Sequence, residues 1–165
     1  MKTSLSEVVL PWYAISQGQS FDQSNVFFKF IAMFIAFNAI YDCRYESEYD
    51  PARKIQKFSD DNFMKERHKN LLNTDTEYKN AVECLAEKGI INMQKSNDEP
   101  FKINRLEYLN QVMRCIYQVR CNLFHGDKSP GEPRDVNVVR SSYIILSRLL
   151  TPWMDRKLID EWSGA

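Results

Sequence analysis

The sequence predicts an all-α protein, a bundle of about five helices in a single domain over residues 1–165, with 1–20 as a leading arm or short helix and 152–165 as an amphipathic tail. Apolar residues recur at three- and four-residue steps in the long segments, and no segment shows the two-residue alternation of a strand. The composition, with 44% hydrophobic and 27% charged residues, is that of a globular protein. A chain of this length buries roughly two thirds of its unfolded surface, enough for one core.

The first half of the chain contains the most apolar segment. Residues 4–17 are weakly periodic and predict a short leading helix. Residues 22–41 predict the deepest helix, because large apolar side chains recur on successive turns: Phe27, Phe30, Ile31, Phe34, Phe37 and Tyr41. This segment contains Lys29 and Asn38 and falls short of the roughly 20 apolar residues of a membrane span. It therefore predicts a buried helix and no contact with a membrane.

Two charged helices are predicted next. The Asp-Pro pair that opens residues 50–72 supplies an N-cap followed by proline at the first helical position. His68 lies in this helix among charged neighbours, a pattern typical of a solvated face. Residues 74–89 open with Thr74 and Glu77 at the spacing of a capping box and end at a glycine.

The last two helices follow a polar loop. A helix over about residues 103–125 carries a core stripe at helical spacing: Leu109, Val112, Ile116, Val119 and Leu123. Gly126 supplies its C-terminal stop. A final helix is predicted over about residues 134–150, and Pro152 ends or bends it.

The protein has no net charge, but its charge is unevenly distributed. In total, 22 Lys and Arg residues balance 22 Asp and Glu residues, which disfavours a protein coated with nucleic acid or another polyanion. Residues 1–100 carry a net charge of −3, whereas residues 101–150 carry eight basic and four acidic residues, a net of +4. This basic region favours one anionic site, with an ordinary scatter of surface charge as the alternative.

The four cysteines do not form a metal or disulfide pattern. Cys43, Cys84, Cys115 and Cys121 lack the paired spacing of zinc sites. We expect free thiols, buried at Cys84 and Cys115, and neither a metal nor a cofactor. The start of the chain lacks the features of a signal peptide, so the sequence predicts a cytoplasmic protein.

The segment from Arg120 to His125 is the strongest candidate for chemistry. Arg120 lies about 60° from the middle of the core stripe, where an arginine either extends to solvent or is directed into a cleft or interface. His125 precedes Gly126 at the helix end, where the helix dipole favours a protonated imidazole. A histidine at this position commonly only caps backbone carbonyls. A separate polar stripe is predicted on the far side of the helix: Arg114, Gln118, Cys121 and His125.

The amino-acid sequence of this segment resembles the signature of the HEPN superfamily. The run YQVRCNLFHGDKSP at residues 117–130 contains Arg, four residues and then His on the penultimate helix. The run FNAIY at residues 37–41 and PRD at residues 133–135 are also similar to segments of prokaryotic and plasmid-borne HEPN proteins. These stretches cover about an eighth of the chain. HEPN nucleases commonly place a polar residue, often Asn, directly after the Arg, whereas here Cys121 intervenes before Asn122.

The resemblance implies a helical homodimer that cleaves RNA without a metal, as a toxin, an antiphage effector or an RNA-processing factor. If it is a toxin, its antitoxin is a separate chain. Arg120 and His125 are then the catalytic residues. The candidate RNA-binding or site-supporting residues are Asn122, Lys128, Arg134 and Asn38. For Lys128 and Arg134 the alternative is a solvated loop, and for Asn38 it is a buried amide with its hydrogen bonds satisfied.

Elementary chemistry agrees with these roles. Cleavage by the 2′-OH of RNA needs a base, an acid and a cation for the crowded phosphate; histidine can be either acid or base, and arginine grips phosphate oxygens. In an unbroken helix Arg120 and His125 lie about 140° apart. Either the helix unwinds at residues 124–125, or Arg120 of one subunit meets His125 of the other across a two-fold dimer.

Two alternatives stay open from the sequence. One is a HEPN-fold module that binds RNA or a protein without cleaving. The other is a helical interaction or scaffold protein in which the motif is fortuitous.

Overall fold

The computed structural model describes residues 4–18, 25–93, 99–129, 131–154 and 159. These ranges contain seven α-helices and no β-strand, with one isolated bridge between Ile90 and Phe101. The all-α class is confirmed, with more helices than the expected five. The helices are α1 (Leu5–Gln17), α2 (Asn25–Arg44), α3 (Pro51–Asp60), α4 (Asn62–Thr74), α5 (Thr76–Lys88), α6 (Leu109–Phe124) and α7 (Pro133–Leu150), followed by a 3₁₀ turn (Thr151–Trp153).

The predicted helix over residues 50–72 is two helices that meet at Asp61. This residue has extended backbone angles, φ −60° and ψ 130°, which end α3. Its carboxylate accepts a hydrogen bond from the N–H of Met64 at 3.2 Å and so caps the start of α4. Asp50 caps α3 as predicted, accepting from the N–H of Ala52 at 2.9 Å.

Two other helix starts differ from the prediction. Asp75 caps α5 by accepting from the N–H of Tyr78 at 2.9 Å. Thr74 is instead the last residue of α4, where its hydroxyl donates to the carbonyl of Asn70, so the capping box predicted at Thr74 is wrong. The helix that contains Arg120 begins at Leu109, six residues later than expected.

The central helix of the bundle is α2, which packs against α1, α3 and α7. An edge-to-face aromatic pair joins α2 to α3, with the rings of Phe37 and Phe58 4.9 Å apart. A second pair joins α3 to the 3₁₀ turn, with the rings of Phe58 and Trp153 6.1 Å apart. Such pairs add about 0.5–1.5 kcal/mol each beyond the area that they bury. By length and composition α2 could cross a membrane, but 61% of its apolar window is buried inside the fold. Its apolar character is therefore explained by the core.

The prediction that His68 lies on a solvated face is wrong. Its ring is fully buried, with Nδ1 2.6 Å from the hydroxyl of Tyr78 and Nε2 2.7 Å from the carbonyl of Leu106. Because a carbonyl can only accept, Nε2 carries the proton and Nδ1 accepts from Tyr78. Burial lowers the pKa of His68. The imidazole is thus a neutral cross-link between α4, α5 and the segment before α6.

Candidate active site

The end of α6 holds His125 in a defined position. Gly126 has φ 80°, and its N–H donates to the carbonyl of Leu123 at 3.1 Å, while the N–H of Asp127 donates to the carbonyl of Asn122 at 2.9 Å. These two bonds form a Schellman motif, as expected for a glycine that follows a helix. His125 is the C-cap residue and its side chain is exposed. The helix stays regular through Phe124, so it does not unwind before His125.

Arg120 is a half-buried cation held between aromatic rings. Its guanidinium carbon lies 4.6 Å from the ring centre of Phe124 and 5.8 Å from that of Phe34 on α2. Within the residues that the structure describes, no carboxylate pairs with Arg120, and its buried Nε has no hydrogen-bond partner. A partly desolvated charge without a counter-ion is destabilising. An anion bound beside this guanidinium would relieve that cost.

A hydrogen-bonded chain on α2 lies next to Arg120. The hydroxyl of Tyr41 donates to the side-chain carbonyl of Asn38, whose amide donates to Asp42 at 2.6 Å. Lys54 of α3 donates to the other oxygen of Asp42 at 2.7 Å. Burial raises the pKa of the Tyr41 hydroxyl, and the nearby charge of Arg120 opposes that rise. Asn38 is therefore held by Tyr41 and Asp42 on α2, and the charge of Arg120 is near enough to influence Tyr41.

Asn122 faces the interior and not the surface that carries His125. Its amide donates to the carbonyl of Ile91 at 2.8 Å, and its carbonyl accepts from Gln118 at 2.8 Å and from the N–H of Met93 at 3.4 Å. Gln118, expected on an exposed polar stripe, is buried by this arrangement. The two amides hold residues 91–93 against α6.

The two basic candidates after His125 differ in their surroundings. Lys128 is almost buried and pairs with Asp135 at 2.5 Å, while the N–H of Ser129 donates to the same carboxylate at 3.0 Å. These contacts fasten the segment after His125 to the start of α7. Arg134 is exposed in the first turn of α7. Of the two, Arg134 is the residue whose side chain faces solvent.

Two aromatic rings contact Arg120. Phe124 is expected beside Arg120 from the sequence, because it lies one turn further along the same helix face. Phe34 was not foreseen as part of the site. Its approach to Arg120 depends on how the whole bundle places α2 relative to α6, which local spacing does not specify.

In the described ranges, no group of three or more His, Cys, Asp or Glu side chains is placed to hold a metal ion. Comparisons with protein-family models, with curated proteins and with solved structures give no match.

Proposed function

We propose that this protein is a metal-independent endoribonuclease of the HEPN type that acts as a cytoplasmic homodimer. One observation carries the proposal. Arg120 holds a half-buried positive charge, without a carboxylate partner in the described residues, close to the helix end that presents His125 to solvent. A phosphate is the anion that a planar guanidinium grips best, and a histidine beside it supplies proton transfer near neutral pH.

The proposed reaction is transesterification within the RNA strand. A histidine takes the proton of the 2′-OH, and the 2′-oxygen attacks the adjacent phosphorus. Arg120 stabilises the charge that develops on the phosphate oxygens. The bond from phosphorus to the 5′-oxygen breaks, and a protonated histidine delivers a proton to that oxygen. The products are a 2′,3′-cyclic phosphate and a 5′-hydroxyl.

A dimer supplies the two histidines that this reaction uses. The exposed stripe of α2 is apolar in its first half, where Phe28 is 43% exposed and Ile31 and Ile35 are half-buried at three- and four-residue steps. On α6, Phe124 is 54% exposed and contacts Arg120, whose guanidinium also lies 5.8 Å from the ring of Phe34 on α2. We propose that two copies pack through this face about a two-fold axis. Each copy then contributes Arg120 and His125 to a shared cleft.

Three biological roles are compatible with this activity. A nuclease of this kind serves as a toxin restrained by a separate antitoxin chain, as an antiphage effector, or as an RNA-processing factor. Arg134 in the first turn of α7 and Lys128 in the segment between α6 and α7 are proposed to support RNA binding. Lys128 would do so by holding this segment in place through Asp135.

Cleavage of RNA by purified protein in EDTA tests the proposal. His125→Ala should abolish cleavage, and Arg120→Ala should reduce the rate by roughly 10²–10³-fold, the usual scale for losing one charge-stabilising group. Arg120→Lys should rescue only part of the loss, because a point charge cannot reproduce the planar fork. Arg105→Ala is the matched control, since Arg105 is exposed and stacks on Tyr108 away from α2.

Full activity of His125→Ala, or strict dependence on a divalent metal, would overturn the mechanism. The second candidate is then a HEPN-like module that binds RNA or a protein without cleaving. The observation that favours it is the separation of about 140° between Arg120 and His125 around the regular helix, which prevents a single chain from joining them. RNA binding without cleavage by the wild-type dimer would support this candidate.

A further inference from the structure

A second concave surface lies between α3 and α6, apart from Arg120 and His125. It has a volume of about 380 Å³, in the range of about 300–1,000 Å³ typical of ligand pockets. Six of the side chains that line it are Arg53, Gln56 and Ser59 of α3 and Asn110, Arg114 and Tyr117 of α6. Most of these side chains can donate hydrogen bonds to an anion.

The walls of this cleft are positively charged. They include the guanidinium groups of Arg53 and Arg114 and no carboxylate. Arg114 stacks on Phe101 at 4.4 Å, which holds its guanidinium in place. Arg53 has only a long contact of 3.9 Å with Asp50, between two well-exposed side chains. Such a contact contributes little, so both arginines are available to an anionic ligand.

The basic surface continues past Arg114. A neighbouring groove shares Arg114 and adds Lys102, Asn104 and Gln111, with Glu99 as its acidic member. Two adjoining concave surfaces thus carry three cations and one carboxylate. An elongated anion suits this arrangement better than a single small ion does, because the charges are spread along the surface.

The cleft lies on the same helix face as His125. Arg114 and His125 are eleven residues apart, which is close to three turns of helix, so they differ by only about 20° around α6. Their separation along the axis is about 16 Å. A phosphate at Arg114 and a phosphate at His125 would therefore approach α6 from the same side.

We propose that the α3–α6 cleft binds the backbone phosphates of single-stranded RNA beside the cleavage point, a role that rests on the proposed ribonuclease function. Arg53 and Arg114 hold the phosphates, and the side-chain amides of Asn110 and Gln56 donate hydrogen bonds to their oxygens. The cleft positions the strand and takes no part in bond breaking. It gives the enzyme a binding contribution from nucleotides that do not react.

Fluorescence anisotropy with a 12-nucleotide, fully 2′-O-methylated RNA tests this cleft without cleavage. Each lost phosphate contact should reduce the slope of log K against log salt by about 0.7. The variant Arg53→Gln/Arg114→Gln loses two contacts and should therefore bind roughly 25-fold more weakly at 0.1 M salt. The slope itself should fall by about 1.4. Lys79→Ala/Lys88→Ala is the control, because it removes two exposed charges of α5. Thermal unfolding checks that each variant stays folded.

An unchanged salt slope in the arginine variant would overturn the proposal, as would an equal loss in the lysine control or no binding of this RNA by the wild type. Because the RNA cannot be cleaved, an absence of nuclease activity in EDTA affects the proposed function and leaves this measurement intact. Conversely, if the protein cleaves RNA but binds it independently of Arg53 and Arg114, the proposed function stands and the proposed role of the cleft is refuted.

Discussion

At the scale of single residues, the half-buried charge of Arg120 destabilises the fold but favours the binding of an anion. Its aromatic neighbours shield the guanidinium from water, which strengthens its attraction for an anion. The sequence places Arg120 at the edge of an apolar stripe and next to Phe124, one turn away. It does not specify Phe34, because the approach of this ring to Arg120 depends on how the whole bundle places α2 relative to α6.

The environment of His68 differs from the one that its neighbours in the sequence suggest. Its neighbours Glu66, Arg67 and Lys69 suggest a solvated helix face, yet the ring of His68 is buried while Glu66 and Lys69 are exposed. Its partners come from Tyr78, ten residues later, and from the carbonyl of Leu106, 38 residues later. Neither partner has a signature in the residues around His68.

This histidine should make folding stability depend on pH. Burial lowers its pKa in the folded state below the ordinary value of 6.5, so the unfolded chain binds a proton more readily than the folded chain does. Above pH 6.5 both states are neutral and its contribution is complete. As the pH falls below 6.5, the free energy of unfolding should decrease by up to about 1.4 kcal/mol per pH unit from this group.

Urea unfolding of the wild type and of His68→Gln between pH 7.5 and 5.0 measures this effect. The stability advantage of the wild type should shrink as the pH falls. His125 is the other histidine of the chain and is present in both proteins, so it cancels from the difference. A difference in stability that stays constant over this range would contradict a neutral, buried His68.

At the scale of helices, apolar periodicity specified the helices better than it specified their ends. The spacing of large side chains located α2 and α7 closely. Other helix ends depend on which of several residues caps the helix. Asp61 divides one predicted helix into two, and Asp75, not Thr74, is the N-cap of α5. Each case contains adjacent residues that can all cap a helix, and tertiary packing selects among them.

Gly126 is the helix end on which the site depends. Gly126→Ala should reduce the free energy of unfolding by about 1–2 kcal/mol, because φ 80° is unfavourable for a residue with a Cβ. No atom lies within 4 Å of the added Cβ, so the cost is one of backbone conformation. Cleavage should also fall, since relaxation of the Schellman motif moves His125.

Gly131→Ala is the matched control in the same connection between α6 and α7. Its backbone is not in the positive-φ region, and the nearest atom to an added Cβ is the Ser129 hydroxyl at 3.6 Å, an ordinary contact. Thermal or urea unfolding of both variants makes the comparison. Equal stability of Gly126→Ala and the wild type would show that this glycine does not fix the helix end.

At the scale of the whole molecule, periodicity was enough to predict an all-α bundle, but not which surfaces meet. The cleft between α3 and α6 joins Arg53 to Arg114, residues 61 positions apart in the chain. The Tyr41–Asn38–Asp42–Lys54 chain likewise crosses from α2 to α3. Such sites arise from tertiary contacts, which a single sequence does not encode in any local pattern.

A substitution in the apolar face of α2 tests the proposed dimer. Ile35→Glu introduces a charge into the apolar face of α2 and should convert the dimer to a monomer in sedimentation or light-scattering experiments at micromolar concentration. Cleavage should be lost with it, because one chain does not bring Arg120 and His125 together. Tyr49→Glu is the control, since Tyr49 is 94% exposed outside this face. A wild-type mass of one subunit, or a dimer that survives Ile35→Glu, would contradict this interface.

The central claim is that RNA is cleaved by attack of its own 2′-OH, with Arg120 and His125 as the protein's contribution. The most direct measurement compares, in EDTA, an RNA with its counterpart carrying a single 2′-deoxy nucleotide at the cleavage position, with analysis of the product ends. We expect the RNA to yield a 2′,3′-cyclic phosphate and a 5′-hydroxyl, and the deoxy-substituted strand to remain intact at that position. Cleavage of the deoxy-substituted strand at the same position would contradict the mechanism.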